Sequence, residues 1–476
     1  MPQYTDRPIQ PTIFVIFGAT GDLAKKKLFP ALLDLHTKQI LPDQFHIIGF
    51  SRRDWGDEDF QNYVRGIFDE KGHNHEPSVI DNFLQNISYS KGTFDDVSAF
   101  KQLVDLIESR AQDFGTCVNR FFYFATPPKF YEVIARNLSD SGAASVCSDK
   151  EGWSRVLIEK PFGKDRASAM HLETELNKLF EKEQIFLIDH YLAKETIQNI
   201  LLFRFSNAIF EPLWNSGFIE RVEIKLHEQL GLEGRVTFYD GVGALRDVGQ
   251  SHILQMLSLI TMEHPGELHA TQVRHAREQV LKKVRFDDSI PTVRGQYKGY
   301  TSEEGIDPNS QTETFFRVSA KIHNKRWKGT QFILESGKRL SKKKATISIY
   351  FKPASNPLCE GGMDCVLQNK LTFEIQPDEA VRISFWTRAP GFGAEMEENV
   401  LQYRYSDDMR KTMLPGAYEY VIAKALQGDQ MLFRTPLEEH CSWRFIQRVV
   451  QKWEQYPLVV YDQETDPASI VNKKPL

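Results

Sequence analysis

The sequence has little cysteine and no CxxC pair: Cys117, Cys147, Cys359, Cys365 and Cys441 are five in number and widely spaced. An odd, scattered set argues against a disulfide framework and against a structural zinc site, and it fits a reducing, cytoplasmic compartment. No metal site is expected. Long apolar runs are also missing, and none approaches the about 20 residues that a membrane-spanning helix needs. The opening MPQYTDRPIQPT has no apolar core of a signal peptide, so neither export nor membrane insertion is expected. An excess of one charge is absent too: the formal net charge is −5 over 476 residues, which implies no nucleic-acid-binding surface. There is no internal repeat and no low-complexity tract.

What remains is the composition of an ordinary globular chain, 41% hydrophobic and 26% charged, long enough for more than one domain. The stretch 155–195 is the most informative. Its two short apolar runs, 156–158 and 185–188, end in Glu159-Lys160-Pro161 and in Asp189-His190-Tyr191, with Lys194 close behind. Near-continuous apolar runs of this length suit parallel strands covered on both faces. Ligands in open α/β sheets bind outside the carboxyl ends of strands, so both clusters fall where chemistry is expected. Solvated charges at two strand ends are the alternative for either cluster alone.

Near the N-terminus the apolar run 13–17 leads directly into Gly18-Ala-Thr20-Gly21-Asp22-Leu23-Ala24 and a helix carrying Leu28, Leu32, Leu33 and Leu35. Glycines let a backbone approach a pyrophosphate, helix amides point at it, and a small Ala24 lets the helix pack on the sheet. A structural turn is the alternative. The strand is not followed by GxxxxGK[ST], so a P-loop kinase or ATPase is disfavoured. A second strand over 46–50 ends in Ser51-Arg52-Arg53, where an NAD-selective protein tends to place an acid; paired arginines suit a 2′-phosphate instead. Two solvated arginines, one neutralised by Asp54, are the competing explanation. A third strand over 120–125 stops at Thr126-Pro127-Pro128, residues that cannot continue a ladder.

After a helix over 196–205 the pattern changes. Alternating segments at 221–227, 315–322, 331–334, 346–351, 371–375 and 380–386 predict strands without regular intervening helices, hence a largely antiparallel sheet. Between the first two lies GALRDVGQSHILQML, a helix on which Val248, His252 and Met256 share a face at fourfold spacing. His252 therefore faces inward, and on that pattern alone it reads as a packed core histidine before it reads as a base. Residues 265–310 read as a polar, irregular, exposed excursion. Lys338-Arg339-Leu-Ser-Lys342-Lys343-Lys344 reads as a basic loop, either solvated or holding phosphate or sugar oxygens. The region 417–456 is helical in period, with a loose tail after Tyr461.

Together these stretches closely resemble the glucose-6-phosphate dehydrogenase family. The resemblance covers almost the whole chain through GATGDLAKKKLFPAL, FYFATPP, IEKPFGKD, IDHYLAKE, GALRDVGQSH, VRGQYKGY, TETF, NKRWKG, SGKRL and GDQMLF. It implies a Rossmann-like α/β dinucleotide-binding domain over 1–190 and a larger α+β domain with a mostly antiparallel sheet over 191–476, serving substrate binding and oligomerisation. It further implies oxidation of glucose 6-phosphate at C1 to the 6-phosphoglucono-lactone with hydride transfer to NADP. By the same resemblance His252 is the base and Asp189 its orienting partner. Lys160 lies between sugar and nicotinamide. His190, Tyr191 and Lys194 hold the substrate phosphate, and Glu228, Asp247 and Lys338 hold sugar hydroxyls, with Lys343 added to the substrate set. Gly18, Thr20, Gly21, Asp22 and Leu23 form the pyrophosphate turn, and Arg52 with Arg53 takes the 2′-phosphate. A cytoplasmic homodimer or homotetramer, with no nucleic-acid or membrane partner, is implied.

The chain departs from the family pattern at Ala193, where glycine is usual, and at Lys343 and Glu335, where arginine is common. Ser251 replaces an asparagine, and Ser348 with Glu335 bears against a second, structural NADP site. Two alternatives stay open from these departures: a dehydrogenase of another sugar phosphate, and a catalytically silent paralogue that binds NADP and sugar phosphate.

Overall fold

The computed structural model describes residues 10–70, 75–147, 152–233, 236–354, 367–393, 395–407 and 415–472. Cys359 and Cys365 lie outside the described residues. In chain order the strands are β1 (Thr12–Phe17), β2 (Phe45–Ser51), β3 (Ile87–Lys91), β4 (Asn119–Phe124), β5 (Ser154–Ile158), β6 (Ile185–Ile188), β7 (Ile219–His227), β8 (Val284–Phe286), β9 (Val293–Tyr297), β10 (Phe315–Ile322), β11 (Gln331–Gly337), β12 (Lys344–Phe351), β13 (Lys370–Gln376), β14 (Ala380–Arg388), β15 (Met396–Arg404), β16 (Phe433–Arg434) and β17 (Leu458–Tyr461). Two compact units result, Met1–Ala193 with Pro415–Pro436, and Lys194–Leu414 with Leu437–Leu476. A single cut at 190/191 misses the return of Pro415–Pro436 to the first unit. There β16 pairs antiparallel with β6, and the Arg155 guanidinium donates to the Ala425 and Leu426 carbonyls at 2.7 and 2.8 Å.

In the first unit the strand order is β16-β6-β5-β4-β1-β2-β3, and β1 to β6 pair in parallel. Every residue of β1, β2 and β4 is buried, as helices on both faces of such a sheet require. Phe17 sits among Phe50, Phe100 and Phe124 in this core, and Leu28, Leu32, Leu33 and Leu35 are buried on the first helical segment. The order reverses at β1, where β2 and β4 flank it on opposite sides; this is the switch point at which doubly wound sheets bind ligands.

One disulfide joins Cys117 and Cys147 across 30 residues of chain, which corrects the expectation drawn from cysteine usage. Parity limits complete pairing but not a single bond, and the turns before β4 and after helix Tyr131–Asp140 bring these two together. Cys441 is free and buried.

The second unit holds a sheet ordered β15-β14-β13-β12-β7-β11-β10-β9-β17, with β8 on β10. It is antiparallel except where β7 meets β11 and β9 meets β17. Three expectations need correction here. Residues 265–310 are not an irregular excursion: they contain helix Ala270–Leu281 and strands β8 and β9. The helix buries Val273, Ala276, Arg277 and Val280, and the apolar stripe is hidden in sequence because Arg277 interrupts it, its charge met inside by Glu438 at 2.8 Å. The tail after Tyr461 is not loose, since helix Pro467–Asn472 buries Ile470 among Tyr297, Phe315 and Tyr461. The region 417–456 is two helices, Ala417–Gln427 and Pro436–Gln451, with β16 between them. Among the described residues no helix is long and apolar enough to cross a membrane.

Candidate active site

The first unit gathers its candidate residues at the carboxyl ends of the parallel strands. After β1, Gly18 adopts a left-handed φ of 79°, and a Cβ there would lie 2.5 Å from the Ala125 carbonyl oxygen that follows β4. Only glycine fits both the conformation and the space. Its N–H donates to the Phe50 carbonyl at 2.9 Å, and Gly21 N–H donates back to the Gly18 carbonyl at 2.9 Å. The turn is thus fixed over the switch point, with Ala24 fully buried under the helix that follows. Thr20 shares a hydroxyl hydrogen bond with Ser51 at 2.8 Å, so the turn is also tied to the end of β2. Asp22 is exposed and paired with Lys26; that hydrogen bond holds its carboxyl below the usual value. Leu23 is half-buried beside it. A narrow glycine cradle opening onto helix amides fits the pyrophosphate of a dinucleotide.

Arg52 and Arg53 are exposed just past β2. Asp54, which was the candidate to neutralise one of them, pairs with Lys91 at 2.8 Å. The Arg53 guanidinium lies 4.7 Å from the Trp55 ring centre, and Arg52 has no acidic partner among the described residues.

At the ends of β5 and β6 the two clusters lie side by side, because Ile158 is opposite Leu187 in parallel register. Glu159 is buried and accepts from the Tyr123 hydroxyl at 2.5 Å, while its backbone carbonyl accepts from the Tyr131 hydroxyl at 2.9 Å. Burial pushes the Glu159 carboxyl up to about 7, against the opposing effect of the Tyr123 hydrogen bond. Lys160 is half-buried next to it. Asp189 is buried and accepts from the Tyr191 N–H at 3.1 Å. His190 stacks on Tyr418, ring centres 6.3 Å apart and planes 14° apart. Tyr191 and Ala193 are buried, so the methyl group of Ala193 is accommodated inside the turn.

In the second unit Lys194 caps the N-terminus of helix Glu195–Phe205. Burial lowers its ammonium to about 8, with the Glu379 carboxylate opposing and the Lys343 charge reinforcing the shift. Lys343 itself is exposed. The two cations are near enough to repel, and a dianion between them relieves that repulsion.

Glu228 and Lys338 form an ion pair. Lys338 is therefore a buried residue rather than part of a solvated loop. Its ammonium lies 5.4 Å from the Tyr239 ring centre, and the Tyr239 phenol, raised first by burial, also feels Asp247 and Glu228. Tyr239 is thus a shared neighbour of all three sugar candidates.

Asp247 and His252 lie on Leu245–Ile253, a π-helical segment that runs into helix Leu254–Thr261. This corrects the fourfold stripe: π-bulges change the spacing and recur at functional sites. His252 is nonetheless buried, as the stripe required. The segment is anchored at its start by Glu313, whose carboxylate accepts from Leu245 N–H at 3.0 Å, and in its middle by Gln250, which donates to Glu439 at 2.7 Å. Ser251 donates to the Asp247 carbonyl at 2.8 Å. Glu335 is buried, ion-paired with Arg317 and hydrogen-bonded to the His227 ring, both at 2.7 Å.

Sequence patterns left Tyr123, Tyr239, Glu313 and Tyr418 without a part, and each reaches its neighbours from a distant segment. Glu159 did carry a signal, its place at a strand end directly before Lys160.

The family model described as "Glucose-6-phosphate dehydrogenase, NAD binding domain" matches residues 15–199, and the one described as "Glucose-6-phosphate dehydrogenase, C-terminal domain" matches residues 201–473. The chain is 38% identical over 459 residues to "Glucose-6-phosphate 1-dehydrogenase 2" of Mycobacterium tuberculosis, covering 93% of this chain and 88% of that protein. It is 35% identical over 458 residues to "Glucose-6-phosphate 1-dehydrogenase" of Caenorhabditis elegans, covering 93% and 86%. A solved glucose-6-phosphate dehydrogenase in complex with its substrate glucose-6-phosphate superposes with a TM-score of 0.90 at 32% identity, covering 98% of this chain and 97% of that one. With both family domains matched in order along one chain, and a Rossmann-type unit and a larger antiparallel unit to match, this chain belongs to the glucose-6-phosphate dehydrogenase family.

Proposed function

We propose that the chain oxidises glucose 6-phosphate at C1 to the 6-phosphoglucono-lactone, with NADP as the hydride acceptor. The family membership carries the reaction, and the exposed Arg52-Arg53 pair, free of Asp54, carries the choice of NADP over NAD. When bound, the cofactor supplies the nicotinamide that takes the C1 hydride. Gly18, Thr20, Gly21, Asp22 and Leu23 would hold its pyrophosphate, and Arg52 with Arg53 its 2′-phosphate. His252 receives the proton of the C1 hydroxyl as that oxygen becomes the lactone carbonyl; Asp189 serves as the orienting carboxylate. Lys160 supplies positive charge beside the reacting carbon. His190, Tyr191, Lys194 and Lys343 hold the phosphate, and Glu228, Asp247 and Lys338 hold sugar hydroxyls.

We further assign NADP binding to the first unit, Met1–Ala193 with Pro415–Pro436, and oligomerisation with most of the substrate contacts to the second, Lys194–Leu414 with Leu437–Leu476. A homodimer or homotetramer is supported by Val400, Leu401 and Tyr403, exposed apolar residues on β15 at the edge of the large sheet. The cytoplasm is the compartment proposed, and one relative, of Arabidopsis thaliana, is named as cytoplasmic.

Purified protein given NADP and glucose 6-phosphate is expected to raise NADPH absorbance, with a higher kcat/KM than for galactose 6-phosphate or free glucose. No absorbance change between pH 6 and 10 would overturn the activity, and a higher kcat/KM with NAD than with NADP would overturn the cofactor.

A further inference from the structure

We propose that Glu313 is a positioning residue for the proposed oxidation, setting the start of the segment that carries Asp247 and His252 against the turn that carries Lys338. The inference rests on the roles given above to those three residues and assigns a part to one outside them. Asp247 and His252 belong to the π-helical segment Leu245–Ile253, while Lys338 directly follows β11. Thr312, Glu313 and Thr314, the first three residues of the TETF stretch, are hydrogen-bonded to both places, and all three are buried.

Each of the three ties down a different piece of chain. The Thr312 hydroxyl accepts from the Gly241 N–H at 2.9 Å and donates to the Asp240 carboxylate at 2.8 Å. The Glu313 backbone carbonyl accepts from the Ala244 N–H and its carboxyl from the Leu245 N–H, both at 3.0 Å. Thr314 extends the β10–β11 ladder: Phe315 stands opposite Gly337, so the Thr314 carbonyl accepts from the Lys338 N–H at 2.9 Å. The Thr314 hydroxyl accepts from the Tyr297 N–H at 2.9 Å and lies 2.8 Å from the Tyr461 hydroxyl, which donates to the Lys338 carbonyl at 2.8 Å. With its proton committed there, the Tyr461 oxygen accepts from Thr314. Lys338 is thus held at both of its backbone groups by the residues next to Glu313 and packed on it.

Within this brace the Glu313 side chain is the part whose length matters. Gly243 has a left-handed φ of 77°, and a Cβ there would lie 2.4 Å from a Glu313 carboxyl oxygen. Glycine at this position therefore leaves room for the carboxyl directly on the backbone. The first N–H groups of a helical segment have no acceptor within it. Leu245 is buried, so water does not serve its N–H, and Glu313 does. A shorter side chain draws the acceptor back and lets the first turn shift, and Asp247 and His252 move with that turn relative to Lys338.

Glu313→Gln keeps the length and an acceptor oxygen but removes the charge; Glu313→Asp keeps the charge and withdraws the acceptor by one methylene. In Glu313→Asp kcat for glucose 6-phosphate is expected to fall about 10–100-fold, as a displacement of about 1 Å among reacting groups does. Glu313→Gln should stay within about threefold of wild type, since the hydrogen bond to Leu245 survives. NADPH affinity, read by fluorescence, should hold in both, because the cofactor cradle belongs to the first unit. The His252 ring resonance in histidine-labelled protein, identified by its loss in His252→Asn, gives a reading independent of turnover. It should shift in Glu313→Asp and hold in Glu313→Gln. An unshifted His252 resonance in Glu313→Asp overturns the positioning role, as does an equal kcat in the two variants. If Glu313→Asp does not fold, Glu313→Met, which keeps the volume and lacks the acceptor, takes its place under the same criteria. Wild-type protein that shows the resonance but no turnover sinks the proposed activity and leaves the positioning role to be judged on the resonance.

Discussion

Glu228 and Lys338 form an ion pair across 110 residues of chain because β7 and β11 run parallel with His227 opposite Gly337. One residue further on, the two charged side chains must lie next to each other. Glu228 is half-buried and Lys338 is buried, so the carboxylate keeps an ammonium charged where water does not reach it well.

Removing one partner is therefore more costly than removing a surface bridge. Glu228→Gln leaves the buried ammonium with only an amide oxygen, and we expect a lower Tm together with a rise in KM for glucose 6-phosphate of about tenfold, the worth of a charged hydrogen bond. Thermal unfolding and initial rates on the same preparation check this. An unchanged KM with a lowered Tm would confine the pair to a structural role.

Lys194 gives the substrate side a pH dependence. Its ammonium is lowered to about 8 by burial, with Lys343 reinforcing the shift, so the free protein loses this charge as pH rises through that value. Phosphate monoesters are already dianionic there, their second ionisation lying at about 6. Hence kcat/KM for glucose 6-phosphate should fall above pH about 8 through KM, while kcat holds because bound phosphate keeps the ammonium charged. Lys194→Arg, whose guanidinium does not titrate in this range, should flatten the limb. A limb that persists in the arginine variant would assign it to another group.

On the cofactor side, the exposed Arg52 has no acidic partner among the described residues, and Asp54 is engaged by Lys91. The double substitution Arg52→Ala with Arg53→Ala should weaken NADP by about 10–100-fold, as loss of charged hydrogen bonds to a phosphate would. NAD, which lacks that phosphate, should be affected less than threefold or so. Fluorescence titration with both reduced cofactors measures the two losses. Equal losses would mean that the arginines only support the loop.

Those arginines were legible because they end a buried apolar strand, and the same signal exposed Lys160, Asp189 and His190. Strands β6 and β10 were readable to the residue, since IFLI and FFRVSAKI carry their own pattern. What stayed hidden depends on distant chain. β9 reads VRGQY, with a glycine in mid-strand, and makes sense only because Tyr461 of β17 packs over Gly295. Arg277 looks like a surface residue until Glu438 arrives 161 positions later. The parallel pairing of β7 with β11 has no local marker, so Lys338 looked solvated. Motif resemblance proposed the site residues one by one, but Tyr239 and Tyr418 enter only when the fold brings their neighbours to them.

Tyr239 yields the prediction with the least obvious sign. Its ring is fully buried under Lys338, yet its hydroxyl is buried with no hydrogen-bond partner among the described residues. An orphaned hydroxyl costs about 1–3 kcal/mol in desolvation, so deleting it while keeping the ring should not harm the fold. Tyr239→Phe is expected to raise Tm, by the equivalent of about 1 kcal/mol, and to leave KM for glucose 6-phosphate where it was. Tyr239→Leu, which removes the ring facing the ammonium, should lower Tm and raise KM, since it strips Lys338 of its cation–π neighbour. The pair separates two parts of one side chain: the ring that holds Lys338, and a hydroxyl whose removal is tolerated. A fall in Tm for Tyr239→Phe would mean that the hydroxyl is bonded in solution, and a rise in its KM would mean that the sugar is what bonds it.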